Sequence, residues 1–172
     1  MNKSKTIVAA ILLTLTVACG VDYSSQDAGS EAGDWIYTDK VDNITESRTR
    51  VAQIESSSTL EFDFPYQGEQ RAILLMGKMG DEFLVNIKVK KGQFTCITGC
   101  SIDTKFSNIP FYVEKANFSE DYSSDTLVLV NSRIFIENAL ENDEVIVEAV
   151  FYREGAQEIT FDLSGLDKTF FD

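Results

Sequence analysis

Apolar and polar positions alternate two by two along most of this chain. In Phe83-Leu84-Val85-Asn86-Ile87-Lys88-Val89-Lys90, positions 83, 85, 87 and 89 are apolar while 86, 88 and 90 are polar. Leu60, Phe62 and Phe64 alternate with Glu61 and Asp63 in the same way. Successive side chains of an extended strand point to opposite faces, so this spacing predicts strands with one buried and one wet face. Runs rich in Val, Ile, Thr, Phe and Tyr, bounded by Gly, Asn, Asp and Ser, predict strands over 35–38, 50–56, 59–64, 71–76, 83–90, 93–96, 101–106, 111–114, 126–130, 145–152 and 158–163. One stretch departs from this period. Ile134, Ile136, Ala139 and Leu140 predict a short helix over 132–142, with Ser132 as its N-cap and Glu137 nearby. Many short strands with one short helix describe a mainly β domain, an antiparallel β-sandwich or jelly-roll-like fold.

The first residues follow another pattern. Lys3 and Lys5 supply positive charge without an acid, an apolar run extends from Thr6 to Val17, and Ala18-Cys19-Gly20 follows. The run is too short for a mature membrane span and fits an export signal over 1–18. Leu15-Thr16-Val17-Ala18-Cys19 resembles the lipobox of bacterial lipoproteins, with Thr16 where Leu is commonest. That resemblance implies cleavage before Cys19, a diacylglyceryl thioether on its sulfur and a fatty-acyl (palmitate-type) chain on its amine. Residues 19–33 are small, polar and acidic, without hydrophobic period, and read as a lipidated N-terminus and flexible tether. A single β-rich domain is expected over 34–172. With Gly20 rather than an aspartate after Cys19, the outer membrane is favoured if the host is diderm.

Charge narrows the partners. The chain has 28 acidic and 15 basic residues, a net charge of −13. Such a surface repels nucleic acid and anionic headgroups, so the membrane is reached through the lipid anchor and a nucleic-acid partner is excluded. There is no histidine. Ser-His-Asp and Cys-His nucleophilic sites and His-containing zinc sites are therefore ruled out. Neither a metal nor another cofactor is expected, and no catalytic residue is assigned.

With Cys19 lipidated, Cys96 and Cys100 remain as an even pair in an oxidising compartment. They flank Ile97-Thr98-Gly99, a loop suited to a hairpin with Gly99 in the left-handed position, and are expected to form a disulfide that staples it. A redox switch is the weaker reading, since no Cys-X-X-Cys spacing or helix start lowers a thiol pKa. Glu120-Asp121 with Asp125 invites a calcium loop but lacks EF-hand spacing, and a solvated loop fits better.

An ordered series of short motifs carries a second resemblance. It comprises Trp35-x-Tyr37, Phe64-Pro65-Tyr66-x-Gly68, Lys91-Gly92-Gln93-Phe94-x-Cys96 with Cys100, Phe151-Tyr152-x-x-Gly155, and Phe161-Asp162-Leu163-Ser164-Gly165-Leu166. The series resembles an uncharacterised family of bacterial and prophage-encoded lipoproteins and exported proteins. It implies a single β-rich domain and no activity. From the residues alone, Pro65 and Gly68 are turn chemistry, and Trp35, Tyr37, Phe94, Phe151 and Tyr152 are core and rim aromatics or, less often, a groove lining.

Together these observations describe a membrane-anchored bacterial lipoprotein whose non-catalytic β domain binds another molecule or contributes to the cell envelope. The first alternative is an inhibitor, immunity or phage-exclusion lipoprotein acting on an envelope protein, for which an acidic surface suits a basic partner. A carboxylate-based hydrolase of envelope glycans ranks last, because it needs two acids at a set separation across a cleft.

Overall fold

The computed structural model describes residues 34–96 and 99–172. The expected signal segment 1–18, the lipidation site Cys19 and the tether 19–33 lie outside the described residues. In chain order the elements are β1 (Ile36–Val41), β2 (Arg48–Glu55), β3 (Leu60–Phe62), β4 (Gly68–Gln70), β5 (Ile73–Met79), β6 (Glu82–Lys88), β7 (Cys100–Phe106), β8 (Tyr112–Phe118), β9 (Thr126–Leu129), α1 (Ser132–Leu140), β10 (Glu144–Phe151) and β11 (Gly155–Asp162). The fold is mainly β with one short helix and two antiparallel sheets. Nine strands form one sheet in the order β1-β2-β5-β6-β9-β8-β7-β10-β11, and β3 pairs only with β4. The meander β7-β8-β9 has β6 beside β9 and β10 beside β7, so it belongs to two overlapping Greek keys.

Alternation translates into burial. Val85, Ile87 and Val89 are fully buried while Leu84 and Lys88 are exposed. Across β10 and β11, Val145, Val147, Ala149, Ile159 and Phe161 face one core. Aromatic contacts knit it: Phe151 stands 4.5 Å from Phe94 and 4.9 Å from Phe62 between ring centres, and Phe106 meets Phe135 of α1 at 5.2 Å.

Three expectations are corrected. Phe64 does not continue the buried row of Leu60 and Phe62. The Tyr66 amide donates to the Asp63 carbonyl at 2.9 Å, closing a turn that leaves the Phe64 ring 71% exposed. Ser132 is the first helical residue rather than the N-cap, which is Asn131 without a side-chain cap bond. Its buried hydroxyl donates to the Leu129 carbonyl at 2.8 Å and accepts from the Val85 amide at 2.9 Å. Strand β9 pairs with β6 only from Asn86 onward, so the Val85 amide has no ladder partner on that side and Ser132 supplies one.

The third correction concerns the cysteines. Cys96 and Cys100 are bonded, with Cα atoms 4.7 Å apart and Gly99 at φ +95°. Residues 97 and 98 lie outside the described residues, but the flanking segments do not pair as the two arms of a hairpin: 93–96 is not a strand beside β7. Strand β7 pairs with β8 from Cys100 to Thr104 and with β10 from Asp103 to Phe106. The 93–95 segment instead pairs with the end of β10: Phe94 faces Phe151, the Thr95 amide donates to Val150 O and the Tyr152 amide to Gln93 O, each at 2.8 Å. Asp103 of β7 faces Glu148 of the same strand. The chain therefore meets one edge of β10 twice, once through Phe94 and Thr95 and again from Asp103, and the disulfide forms a neck between the two stretches.

Separate elements also close on one another. The amides of Ser57 and Ser58, just past β2, donate to Thr160 O of β11 at 2.8 and 3.5 Å, and Thr160 N donates to the Ser58 hydroxyl at 2.9 Å. Edge strand β11 is thereby covered at its middle.

Two stability predictions follow from this packing. Gly92 has φ +104°, and a Cβ there would lie 2.5 Å from the Phe62 ring. Gly92→Ala should cost about 3 kcal/mol, combining overpacking with backbone strain. Gly80, at φ +59° with nothing within 4 Å, is the control, and Gly80→Ala should cost about 1 kcal/mol. Denaturant titration of both variants reads the difference. Replacing Cys96 and Cys100 together by Ala should cost about 2 kcal/mol, the entropy of so short a closed loop. Thiol alkylation of unreduced native protein should label neither residue.

Candidate functional site

The motif segments meet in pairs. Trp35 and Tyr37, at the start of the sheet, reach the segment after β11. Trp35 Nε1 donates to Ser164 O at 3.2 Å, and the Tyr37 hydroxyl donates to Gly165 O at 3.4 Å and accepts from Asp167 N at 2.8 Å. The Phe170 ring packs edge-on against Tyr37 at 4.8 Å. Phe171 is buried beyond it, and the carbonyls of this tail accept from Arg50 and Lys78, which stand directly opposite each other on β2 and β5. Two like charges side by side would repel, and carbonyl oxygens over them relieve that repulsion.

The Phe64-Pro65-Tyr66-x-Gly68 motif is the β3–β4 connection, with Gly68 at φ +107°. It is tied to the Lys91-Gly92-Gln93 motif. Gln70 Nε2 donates to Lys91 O at 2.7 Å, Lys91 N donates to Gln70 Oε1 at 2.8 Å, and Lys91 Nζ donates to Gln67 O at 3.1 Å. Phe94 and Phe151 are core, as a structural reading of these aromatics requires, whereas Tyr152 is half exposed. The turn after β10 joins the cluster, for the Glu154 carboxylate accepts from Asp63 N at 3.0 Å.

These turns crowd one end of the sheet, where β6 and β10 finish and β9 and β11 begin. Between them lies an open depression of about 360 Å³, lined by Pro65, Tyr66, Lys90, Lys91, Gly92, Gln93, Ser123, Ser124 and Asp125. Of its two lysines, Lys90 pairs with Glu55 at 3.0 Å and Lys91 donates to the Gln67 carbonyl, while its Asp125 meets Lys88 from outside at 3.8 Å. The far wall is the loop after β8. There the Asp121 carboxylate accepts from the Ser119 hydroxyl and from Ser123 N, and Asp125 accepts from the Ser123 and Thr126 hydroxyls, both at 2.7 Å. Both carboxylates thus brace their own loop. Among the described residues no group of three or more His, Cys, Asp or Glu is arranged to hold a metal ion.

Acids elsewhere are set in two ways. Asp103, Glu148 and Glu158 lie directly opposite one another on β7, β10 and β11, a row of like charges that is exposed at Glu158 and partly buried at the other two. Glu114 is the buried one, on the inner face of β8, and its Oε1 accepts from Lys115 N at 3.0 Å and from the Asn131 side chain at 2.8 Å at the start of α1. The sequence gives no sign of this placement, because Glu114 ends an ordinary strand pattern. A carboxylate near a helix N-terminus is electrostatically favoured there. Close by in sequence, the Tyr112 hydroxyl is buried beside the Asn138 side chain, and burial raises its pKa.

Several turns depend on ionised aspartates. The amides of Ile44 and Thr45 hold the Asp42 carboxyl below the usual range. The Ser119 hydroxyl and the Ser123 amide do so for Asp121, and the amide and hydroxyl of Thr169 for Asp167. A carboxyl lowered on folding stabilises the native state above its unfolded pKa, and that contribution disappears as pH falls through the folded value. Their contribution should be constant from pH 7 to about pH 5 and fade below about pH 4. Thermal melts across this range check it, and Asp121→Asn should flatten the acid limb.

No protein-family model, no curated protein and no solved structure matches the chain.

Proposed function

We propose that the chain is a bacterial lipoprotein, anchored in the cell envelope through Cys19, whose β domain is a non-catalytic binding or structural module. The observation that carries the module reading is the pairing of its motifs. Trp35 and Tyr37 hold the segment after β11, and the 64–68 turn holds the 91–93 turn, so the polar atoms of these residues are engaged in fixing loops. Residues used this way build a rigid platform for whatever the loop end contacts. As the finer architecture we propose a sandwich of jelly-roll type. The two Greek keys support it, as do the bonds from Ser57 and Ser58 to β11, which bring distant parts of one sheet together.

Anchoring rests on the leader pattern and its cysteine. Each methylene of an acyl chain contributes about 0.8 kcal/mol of membrane affinity, so several chains hold a protein whose acidic surface gives no electrostatic help. Expressed in a bacterium, the wild-type chain should fractionate with membranes, and mass spectrometry should find an acylated N-terminal Cys19. Cys19→Ser should accumulate unprocessed or leave the membrane fraction. An unmodified Cys19 in processed protein would end the anchoring proposal.

A further inference from the structure

We propose that two copies of this chain associate through the outer face of β1, β2, β5 and β6, about a two-fold axis parallel to the strands. Such a dimer goes beyond the binding-module reading and depends on neither Cys19 nor the loop end.

Strand register sorts this face into rows. Ala52, Leu74, Met76 and Val85 point into the core, so the residues between them point outward. One outward row crosses the four strands as Thr38, Val51, Gly77 and Leu84. The next runs Ile36, Gln53, Leu75 and Asn86. Neither row holds a charged residue, although 25% of the chain is charged. Ile36 and Leu84 are each 49% exposed, and Met79 beside them is 54% exposed. Strand β5 reads Ile73-Leu74-Leu75-Met76, apolar on both faces, which is the pattern of a strand covered on both sides.

Gly77 lies in the middle of the first row. Its φ is outside the left-handed region, and a Cβ there would come no closer to a neighbour than 3.4 Å, at Arg50 O. Neither the backbone nor the packing of this chain therefore requires glycine. A glycine inside a strand weakens it, and it suits a place that another backbone approaches closely.

Charge returns at the ends of the face and selects the occupant. The row at one end is Lys40, Thr49, Met79 and Glu82, with the base on β1 and the acid on β6. At the other end the acid, Glu55, is on β2 and the base, Lys88, is on β6. Glu55 and Lys88 are engaged by Lys90 and Asp125. The side chains of Lys40 and Glu82 make no hydrogen bond or ion pair among the described residues. Three strand spacings, about 14 Å, keep them apart within one chain. Turning a second copy over about an axis along the strands exchanges β1 with β6, so each Lys40 meets a Glu82. A foreign partner of either single charge would meet one of these corners with the wrong sign. A membrane interface favours Trp and Tyr, and none of the four rows holds an aromatic ring. Four strands about 4.8 Å apart and seven residues at about 3.3 Å cover roughly 440 Å² per copy, the scale of a reversible complex.

The test measures the protein mass of the full chain in mild detergent by light scattering across micromolar concentrations. The wild type should pass from one chain to two as concentration rises. Leu84→Lys puts a charge into a central row at a half-exposed site, and should stay monomeric with an unchanged circular dichroism spectrum. Val150→Lys, at a 48% exposed site on β10, should dimerise like the wild type. Lys40→Glu and Glu82→Lys should each weaken association about tenfold, and the two together should restore it, a reversal that misfolding cannot produce. A wild type that stays monomeric, a dimer indifferent to Leu84→Lys, or charge reversals that add instead of cancelling overturns the proposal. So does a photo-crosslinker at position 84 that joins lipid or another protein instead of a second copy. Acylation of Cys19 is read separately, so such a failure leaves the anchoring proposal standing.

Discussion

A backbone amide that leaves a β-ladder inside a core must find another acceptor, and much of this fold is arranged around that requirement. An unsatisfied buried amide costs on the order of 1–3 kcal/mol, as much as a substantial core contact. Where β9 falls short of β6, the Ser132 hydroxyl takes the Val85 amide. Where β4 ends, the Gln70 side chain clasps both backbone groups of Lys91. Beyond Asp103, where β7 no longer pairs with β10, the 93–95 segment takes over that edge. Past β2, the serines at 57 and 58 turn their amides to β11. The short polar residues and irregular segments between strands are thus ladder terminators, each placed by the strand it completes.

The same requirement explains why short motifs recur in pairs that meet in space. A Trp and a Tyr near residue 36 bond to carbonyls and an amide near residue 165. The glycines at 68 and 92 serve the same joint: one makes the β3–β4 connection at positive φ, and the other leaves room for the Phe62 ring. Nothing in these motifs demands a reaction to account for their residue types. Geometry demands them, since a turn packed against a ring admits no Cβ.

Legibility in the sequence followed the strength of the local signal. Strands with clean alternation, such as β6 and β10, were readable to within a few residues, because one face meets a core and the other meets water. The helix was readable from a break in that period. Strand β4, Gly68-Glu69-Gln70, carries no apolar residue, and its pairing with β3 rests on a turn rather than on a pattern. The cysteine loop looked like a hairpin because its spacing permits one; the arm before it pairs with β10 instead of β7, and that is a tertiary fact. At the loop end, the phenol of Tyr66 and the amide of Gln93 were visible as residues, but their convergence depends on turns from three distant parts of the chain.

The covalent neck at Cys96 and Cys100 has a consequence for how this chain tolerates change. The pairings with β10 on either side of the bond, Phe94 with Phe151 and Asp103 with Glu148, both lie outside the two cysteines. Insertions, deletions or wholesale replacement between the two cysteines therefore leave strand register untouched, while the same change two residues outside would shift every side chain of β7 to the wrong face. The bond separates a stretch that carries none of these pairings from a strand that does, and so marks a place where foreign sequence could be grafted without rebuilding the sheet.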